Sequence, residues 1–133
     1  MRVWLTGGGG FIGSNIVAAA VDAGHDVVTT ANSFQAPPDA GFAVDRLDMT
    51  DEAAVRSSIE AFDPDIVIHN AIMNDWHQMN ADRPAAWDAY VGATRNTTAG
   101  ATDAGAAYVM VSTDWVFDGT QGGADESTPP NPV

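Results

Sequence analysis

The chain has 133 residues, of which 45% are hydrophobic, no cysteine and a net charge of −13. This length suits one domain or part of one, with enough apolar residues for a sizeable core. The missing cysteines exclude a disulfide framework, a thiolate metal site and a cysteine nucleophile, and the acidic balance disfavours binding of nucleic acid through its phosphates.

The charge pattern also bears on the salt concentration in which the protein works. Five basic residues, all of them arginine, stand against eighteen acidic residues spread along the chain. One interpretation is an enzyme that is merely acidic, with no adaptation to salt. Adaptation to high salt is the other, because salt screens like-charge repulsion, and the absence of lysine favours it.

The sequence predicts a cytoplasmic protein with no membrane association. No apolar run approaches membrane-spanning length. The first apolar run, residues 3–5, is too short for the core of a signal peptide.

Apolar segments and turn residues predict strands that alternate with helices. The predicted strands are residues 3–5, 26–30, 42–44, 65–69 and 108–111. The predicted helices are residues 14–23, a segment capped by Thr50 or Asp51 that ends near Phe62, and one that Pro84 opens and that ends near Ala104. Residues 33–41, 70–83 and 113 onward are predicted to be irregular. The fold class is therefore α/β, a Rossmann-type doubly wound parallel sheet of about five strands, with ligands expected at the carboxyl ends of the strands.

A glycine run separates the first predicted strand from the first predicted helix. It fits both Gly7-x-x-Gly10-x-x-Gly13 and Gly8-x-Gly10-x-x-Gly13, and the spacing leaves the two open. Strand, tight turn and helix N-terminus together form a pyrophosphate site, because the first N–H groups of the helix face the anion. A flexible linker is the alternative, which the position between strand and helix disfavours. No Lys-Ser/Thr pair follows, which excludes a P-loop.

No metal site is predicted. The candidate ligands His69, Asp75 and His77 have a spacing that matches no familiar ligand set, and His69 ends a predicted strand.

Four segments carry a resemblance to a known family. Residues 6–14, Thr-Gly-Gly-Gly-Gly-Phe-Ile-Gly-Ser, resemble the opening of the extended short-chain dehydrogenase/reductases. Residues 48–51 and 67–71 resemble the adenine-contacting acid and the fourth-strand end of that family. The most specific segment, residues 112–119, resembles Ser-Thr-Asp-Tyr-Val-Phe-Asp-Gly of the dTDP-4-dehydrorhamnose reductase branch, with Trp115 in place of the tyrosine.

This resemblance implies hydride transfer between NAD or NADP and a nucleotide-sugar substrate. The resemblance also implies that Thr113 hydrogen-bonds the substrate carbonyl and that Asp114 lies beside the sugar. A hydroxyl at a strand end can donate to an oxygen that gains charge, although a threonine there can equally cap local backbone. The expected cofactor-binding residues are Gly7, Gly10, Phe11, Ile12, Gly13, Asn32, Asp48, Met49, Asn70, Ala71 and Ile72.

Two departures from the family pattern limit these expectations. Ala31 stands where a strict NAD binder has an acid, so the choice between NAD and NADP stays unresolved. The Tyr-x-x-x-Lys pair that supplies the proton is absent, and Val91-Gly92 stands where the family has Val-Asn. We therefore expect residues 1–133 to be an incomplete NAD(P)-binding domain, truncated at its C-terminal side, inactive alone and prone to form homodimers or aggregates through its fifth strand.

Other functions on the same fold stay open. A non-catalytic NAD(P)-binding regulatory module is one, since the branch resembles a subunit that partners methionine adenosyltransferase. A fragment of a sugar-nucleotide epimerase or dehydratase is another, and an inactive truncated product is a third.

Overall fold

The structure is a computed structural model that describes residues 1–31, 35–73, 75–120 and 122–132. It contains a five-stranded sheet in the order β3-β2-β1-β4-β5, in which every neighbouring pair is parallel. Helices lie between β1 and β2, between β3 and β4 and between β4 and β5, as expected for parallel neighbours that need a crossover connection. The predicted Rossmann-type fold class is confirmed.

The elements follow the predicted alternation. The strands are β1 Arg2–Thr6, β2 Asp26–Thr30, β3 Ala43–Asp45, β4 Ile66–His69 and β5 Ala107–Met110. The helices are α1 Phe11–Asp22, α2 Glu52–Phe62, α3 Trp76–Ala81, α4 Arg83–Trp87 and α5 Ala93–Ala104, with a π-helical turn Asp88–Gly92 between the last two and a short 3₁₀ turn Asp114–Val116 near the end.

The segment between β4 and α5 differs from its prediction. Residues 70–83 are not irregular throughout, because Asp75 caps α3 by accepting a hydrogen bond from the Gln78 N–H at 3.0 Å. The predicted helix from Pro84 is interrupted by the π-helical turn. There the Thr94 hydroxyl donates to the Tyr90 carbonyl at 2.7 Å, a bond that competes with the regular helical pattern.

The core consists of two apolar layers, one on each face of the sheet. On one face α2 and α5 cover Trp4 and Val67. On the other face α1 packs Val17 against Leu5. Strands β1 and β2, which both layers cover, are the most buried strands and place their carboxyl ends rigidly.

The outermost strand, β5, is only partly covered. Val109 is 46% exposed and Met110 is 50% exposed, and no strand in the described part of the chain pairs with the outer edge of β5. Exposed edges of this kind favour pairing with another chain. The homodimer expected from the sequence stays a prediction. In the same described part, no helix is long and apolar enough to cross a bilayer.

Candidate functional site

A cleft of about 720 Å³ lies at the carboxyl edge of the sheet. This is the place where doubly wound sheets bind their ligands, and the volume is that of a small-molecule site. Its lining residues are Gly7, Thr30, Ala31, Leu47, Asp48, Met49, Thr50, Ala71, Ile72, Met73, Asp75, Gln78, Ala85, Asp88, Ala89 and Ala93.

One wall of the cleft is the glycine turn between β1 and α1. The Gly8 N–H donates to the Thr29 hydroxyl at 2.8 Å, and this hydroxyl donates to the Leu5 carbonyl at 2.9 Å. Gly7 has a φ of 74°, a left-handed conformation that glycine adopts without cost. The turn is therefore held by buried hydrogen bonds to the neighbouring strand.

The glycines of this turn have different structural roles. A Cβ atom on Gly13 would lie 2.1 Å from the Gly7 carbonyl oxygen, so α1 packs on the turn only without a side chain there. A Cβ on Gly10 would meet only that same oxygen, at 3.3 Å. Gly13 allows α1 to pack closely on the turn, whereas Gly10 leaves room beside the backbone for an approaching ligand.

The N-terminus of α1 presents backbone N–H groups that have no partner within the helix. Gly10 is the N-cap residue and no side chain caps the helix. No acidic residue lies in the first turn, which leaves the positive end of the helix dipole uncompensated. Phe11 is 90% exposed and Ile12 is 50% exposed. This arrangement fits a phosphate group.

A buried hydrogen-bond network joins the glycine turn to the segment after β4. The Thr6 hydroxyl oxygen accepts the N–H groups of Asn70 at 2.8 Å and Ala71 at 2.7 Å. Its own proton is then donated to His69 Nδ1, 3.0 Å away, which assigns the neutral Nε2–H tautomer to His69. Two walls of the cleft are thus fixed by one hydroxyl.

Burial of His69 predicts a pH dependence of stability. Burial lowers the pKa of His69 below its ordinary value of 6.5, so the unfolded chain binds more protons between the two pKa values. Stability therefore rises with pH in this window and is lost as the pH falls below about 6.5. We expect His69→Asn to abolish this part of the pH dependence in thermal melts, since the amide oxygen still accepts the Thr6 proton. The exposed His77 supplies the control: if His77→Asn flattens the melts equally, the effect does not come from His69.

The opposite wall of the cleft is the segment between β3 and α2. Asp48 accepts hydrogen bonds from the Thr50 N–H at 2.9 Å and from its hydroxyl at 2.8 Å. These two bonds, the backbone one foremost, lower the pKa of the Asp48 carboxyl, so it is an anionic acceptor at neutral pH. The buried Asn96 of α5 donates to the Met49 carbonyl at 3.0 Å and holds this wall against the helix.

The two candidate catalytic residues lie after β5, outside the cleft lining. Both Thr113 and Asp114 are exposed. The Thr113 hydroxyl accepts the Trp115 N–H at 3.3 Å and donates to the Asp114 carboxylate at 3.1 Å. Thr113 thus caps the 3₁₀ turn, which is the alternative role that the sequence left open for a threonine at this position.

The last described residues fold back on that turn. The Asn131 N–H donates to the Val116 carbonyl at 2.8 Å, and its side-chain amide donates to the Asp118 carboxylate at 2.6 Å. The Thr120 hydroxyl and N–H, together with Asn131, hold the pKa of Asp118 below its usual range. The carboxylate of Asp118 therefore organises the chain beside Thr113.

The cleft includes some of the expected cofactor residues and not others. Gly7, Asp48, Met49, Ala71 and Ile72 line it. Gly10, Phe11, Ile12 and Gly13 form the neighbouring turn and helix start, Asn70 is half-buried behind Ala71, and Asn32 lies outside the described residues. Sequence reasoning missed a fourth wall, formed by α3 and the π-helical turn, although the pair Asp75 and Gln78 is a recognisable helix-start signal.

The fold and this cleft define the chain as a Rossmann-type α/β protein with a cleft at the carboxyl edge of its sheet. A family model, RmlD substrate binding domain, matches residues 1–133, and the chain belongs to this family. The resemblance carried by residues 6–14 and 112–119 is thereby confirmed.

Two curated relatives illustrate the family. The probable low-salt glycan biosynthesis reductase Agl14 of Haloferax volcanii is 29% identical over 100% of this chain and 44% of its own length. A dTDP-4-dehydrorhamnose reductase of Mycobacterium tuberculosis is 30% identical over 93% of this chain and 36% of its own length. The chain spans less than half the length of these relatives.

Solved structures show the same architecture. A hypothetical dTDP-4-dehydrorhamnose reductase from Sulfolobus tokodaii matches 100% of this chain and 46% of its own with a TM-score of 0.86 and 28% identity. The UDP-glucose 4-epimerase of Thermus thermophilus, solved as a complex with NAD, matches 99% of this chain and 45% of its own with a TM-score of 0.80 and 28% identity.

Proposed function

We propose that this chain is the nucleotide-binding part of an NAD(P)-dependent sugar-nucleotide reductase. The observation that carries the proposal is the cleft at the carboxyl edge, whose walls are the glycine turn, the segment around Asp48 and the segment after β4. The neighbour from Thermus thermophilus, an NAD complex of a related epimerase, supports a dinucleotide as the ligand. The relative from Mycobacterium tuberculosis supports a reductase.

The residues of the cleft fit the parts of a dinucleotide. The uncapped N-terminus of α1 and the open space at Gly10 suit the pyrophosphate. The anionic Asp48 suits the amino group of adenine, and the Met49 side chain offers an apolar contact beside it. The segment from Ala71 to Met73 would then lie along the rest of the cofactor.

The chemistry proposed for Thr113 is electrostatic. The bound cofactor would supply a hydride, and the substrate would be a nucleotide-linked sugar with a keto group. The exposed Thr113 hydroxyl would donate a hydrogen bond to that carbonyl oxygen as negative charge develops on it. In the structure this proton is donated to the Asp114 carboxylate, and the substrate carbonyl would replace that acceptor.

Replacement of Gly10 tests the binding site. We expect Gly10→Val to abolish binding of NADH and NADPH in titration calorimetry, because the branched side chain would occupy the space of the pyrophosphate. The fold should persist, since the added Cβ has one contact, at 3.3 Å. Gly122→Val is the matched control, because nothing lies within 4 Å of its added Cβ. Equal binding by the parent chain and Gly10→Val would refute the site.

A further inference from the structure

Among the described residues at the end of β2, no carboxylate lines the cleft. Thr30 and Ala31 line the cleft there, whereas NAD-selective sites place an acid that accepts from the adenosine ribose hydroxyl. The neighbouring acid on β3, Asp45, is engaged elsewhere, because its carboxylate accepts the Ser58 hydroxyl at 2.6 Å. An added phosphate on the ribose would therefore meet no fixed negative charge from these residues.

A cation stands next to this position. Strands β2 and β3 pair Thr29 with Val44 and Thr30 with Asp45, and the Ala31 N–H donates to the Asp45 carbonyl at 3.1 Å. The next pair in this register is Ala31 and Arg46, so these two residues lie side by side.

The register of β2 and β3 also determines on which face of the sheet Ala31 and Arg46 lie. Paired residues of parallel strands share a face, and successive residues alternate. Ala31 and Arg46 therefore share the face of Thr29, whose hydroxyl holds the Gly8 N–H of the glycine turn. A fully extended arginine side chain is longer than the spacing of about 4.8 Å between strands, so it can reach past a residue as small as Ala31.

Within the described part of the chain, no ion pair engages the guanidinium of Arg46. In residues 1–31, 35–73, 75–120 and 122–132 the ion pairs involve Arg2 and Arg56. Arg46 is exposed and lines a smaller cleft, about 270 Å³, together with Gln35, Ala36 and Val44.

We propose that Arg46 binds the 2′-phosphate of the cofactor and makes the site selective for NADP(H) over NAD(H). This inference rests on the proposed function. Guanidinium groups match phosphate oxygens with two parallel hydrogen bonds, and the register of β2 and β3 brings Arg46 next to Ala31, which stands where an NAD-selective site has its acid.

Titration calorimetry with NADPH and NADH at one fixed salt concentration tests the assignment. The parent chain should bind NADPH about tenfold more tightly than NADH, as expected for a charge-assisted contact. Arg46→Ala should weaken NADPH binding about tenfold and leave NADH binding within about twofold. Arg46→Lys should keep part of the preference, because lysine retains the charge without the paired geometry.

Arg95→Ala is the matched control, since it removes the same charge from an exposed position on α5 and should keep the preference. A parent chain that binds NADH as tightly as NADPH overturns the inference and leaves the proposed function intact. An equal loss of both ligands in Arg46→Ala, with an unchanged melting temperature, also overturns it. A parent chain that binds neither dinucleotide refutes the proposed function itself.

Discussion

The melting temperature of the chain is expected to rise by about 10 °C or more between 0.01 M and 2 M KCl, because the Debye length falls from about 30 Å to a few ångströms. The net charge is −13, and the described residues contain few ion pairs to offset the repulsion. Arg2 pairs with Asp26, and Arg56 pairs with Glu52 and Asp103. All three pairs are solvent-exposed, so each contributes little.

Charge removal separates screening from other effects of salt. A variant with Asp22→Asn, Asp39→Asn and Glu60→Gln loses three negative charges at exposed positions. It should melt at a higher temperature than the parent chain in dilute buffer and show a weaker dependence on KCl. A melting temperature that hardly changes with salt would contradict the proposed adaptation to high salt.

The second large effect is expected at Gly13. Gly13→Ala places a Cβ 2.1 Å from the Gly7 carbonyl oxygen and 2.9 Å from Gly8 Cα, both of them backbone atoms that cannot move aside. Alanine gains about 1 kcal/mol of helix propensity over glycine, but overpacking of this severity costs about 3 kcal/mol or more. The net loss should lower the melting temperature by about 6 °C or more.

Gly10→Ala is the control for this prediction. Its Cβ approaches only the Gly7 carbonyl oxygen, at 3.3 Å, so its melting temperature should stay within a few degrees of the parent value. If both variants melt like the parent chain, the close packing of α1 on the glycine turn is wrong.

The sequence predicted the strands and most helix ends because their signals are local. Residues 26–30 form β2 as expected, and Asp51 caps α2. Gly24 and Gly105 follow the ends of α1 and α5 with φ values of 76° and 67°, a role in which glycine is favoured. Each of these features depends on a few neighbouring residues.

The other features of the fold depend on contacts between distant parts of the chain, which no local sequence pattern encodes. The π-helical turn involves Tyr90, whose hydroxyl donates to the Met73 carbonyl at 2.7 Å across the cleft. The helix α3 has six residues, too few for a periodic apolar face. The Arg46 position depends on the register of β2 and β3, so the sequence alone did not bring this cation near Ala31.

Part of the candidate site was also predictable, because some of its residues belong to local sequence motifs. The glycine turn and Asp48 carry motifs that are read in sequence order, and both contribute to the cleft. The supports behind them, Thr6 with His69 and Asn96 with the Met49 carbonyl, join residues more than forty positions apart. Only the folded sheet brings these groups together.

The central claim is that the cleft at the carboxyl edge of the sheet binds a dinucleotide. Its most direct test is heteronuclear NMR of the parent chain titrated with NADPH, with amide shifts followed residue by residue. We predict the largest shifts in Gly7, Gly10 and Gly13 of the turn, at Asp48 and Met49, and at Ala71 and Ile72, with little change along the outer face of α2. Absence of saturable shifts, or shifts confined to residues away from this cleft, would contradict the claim.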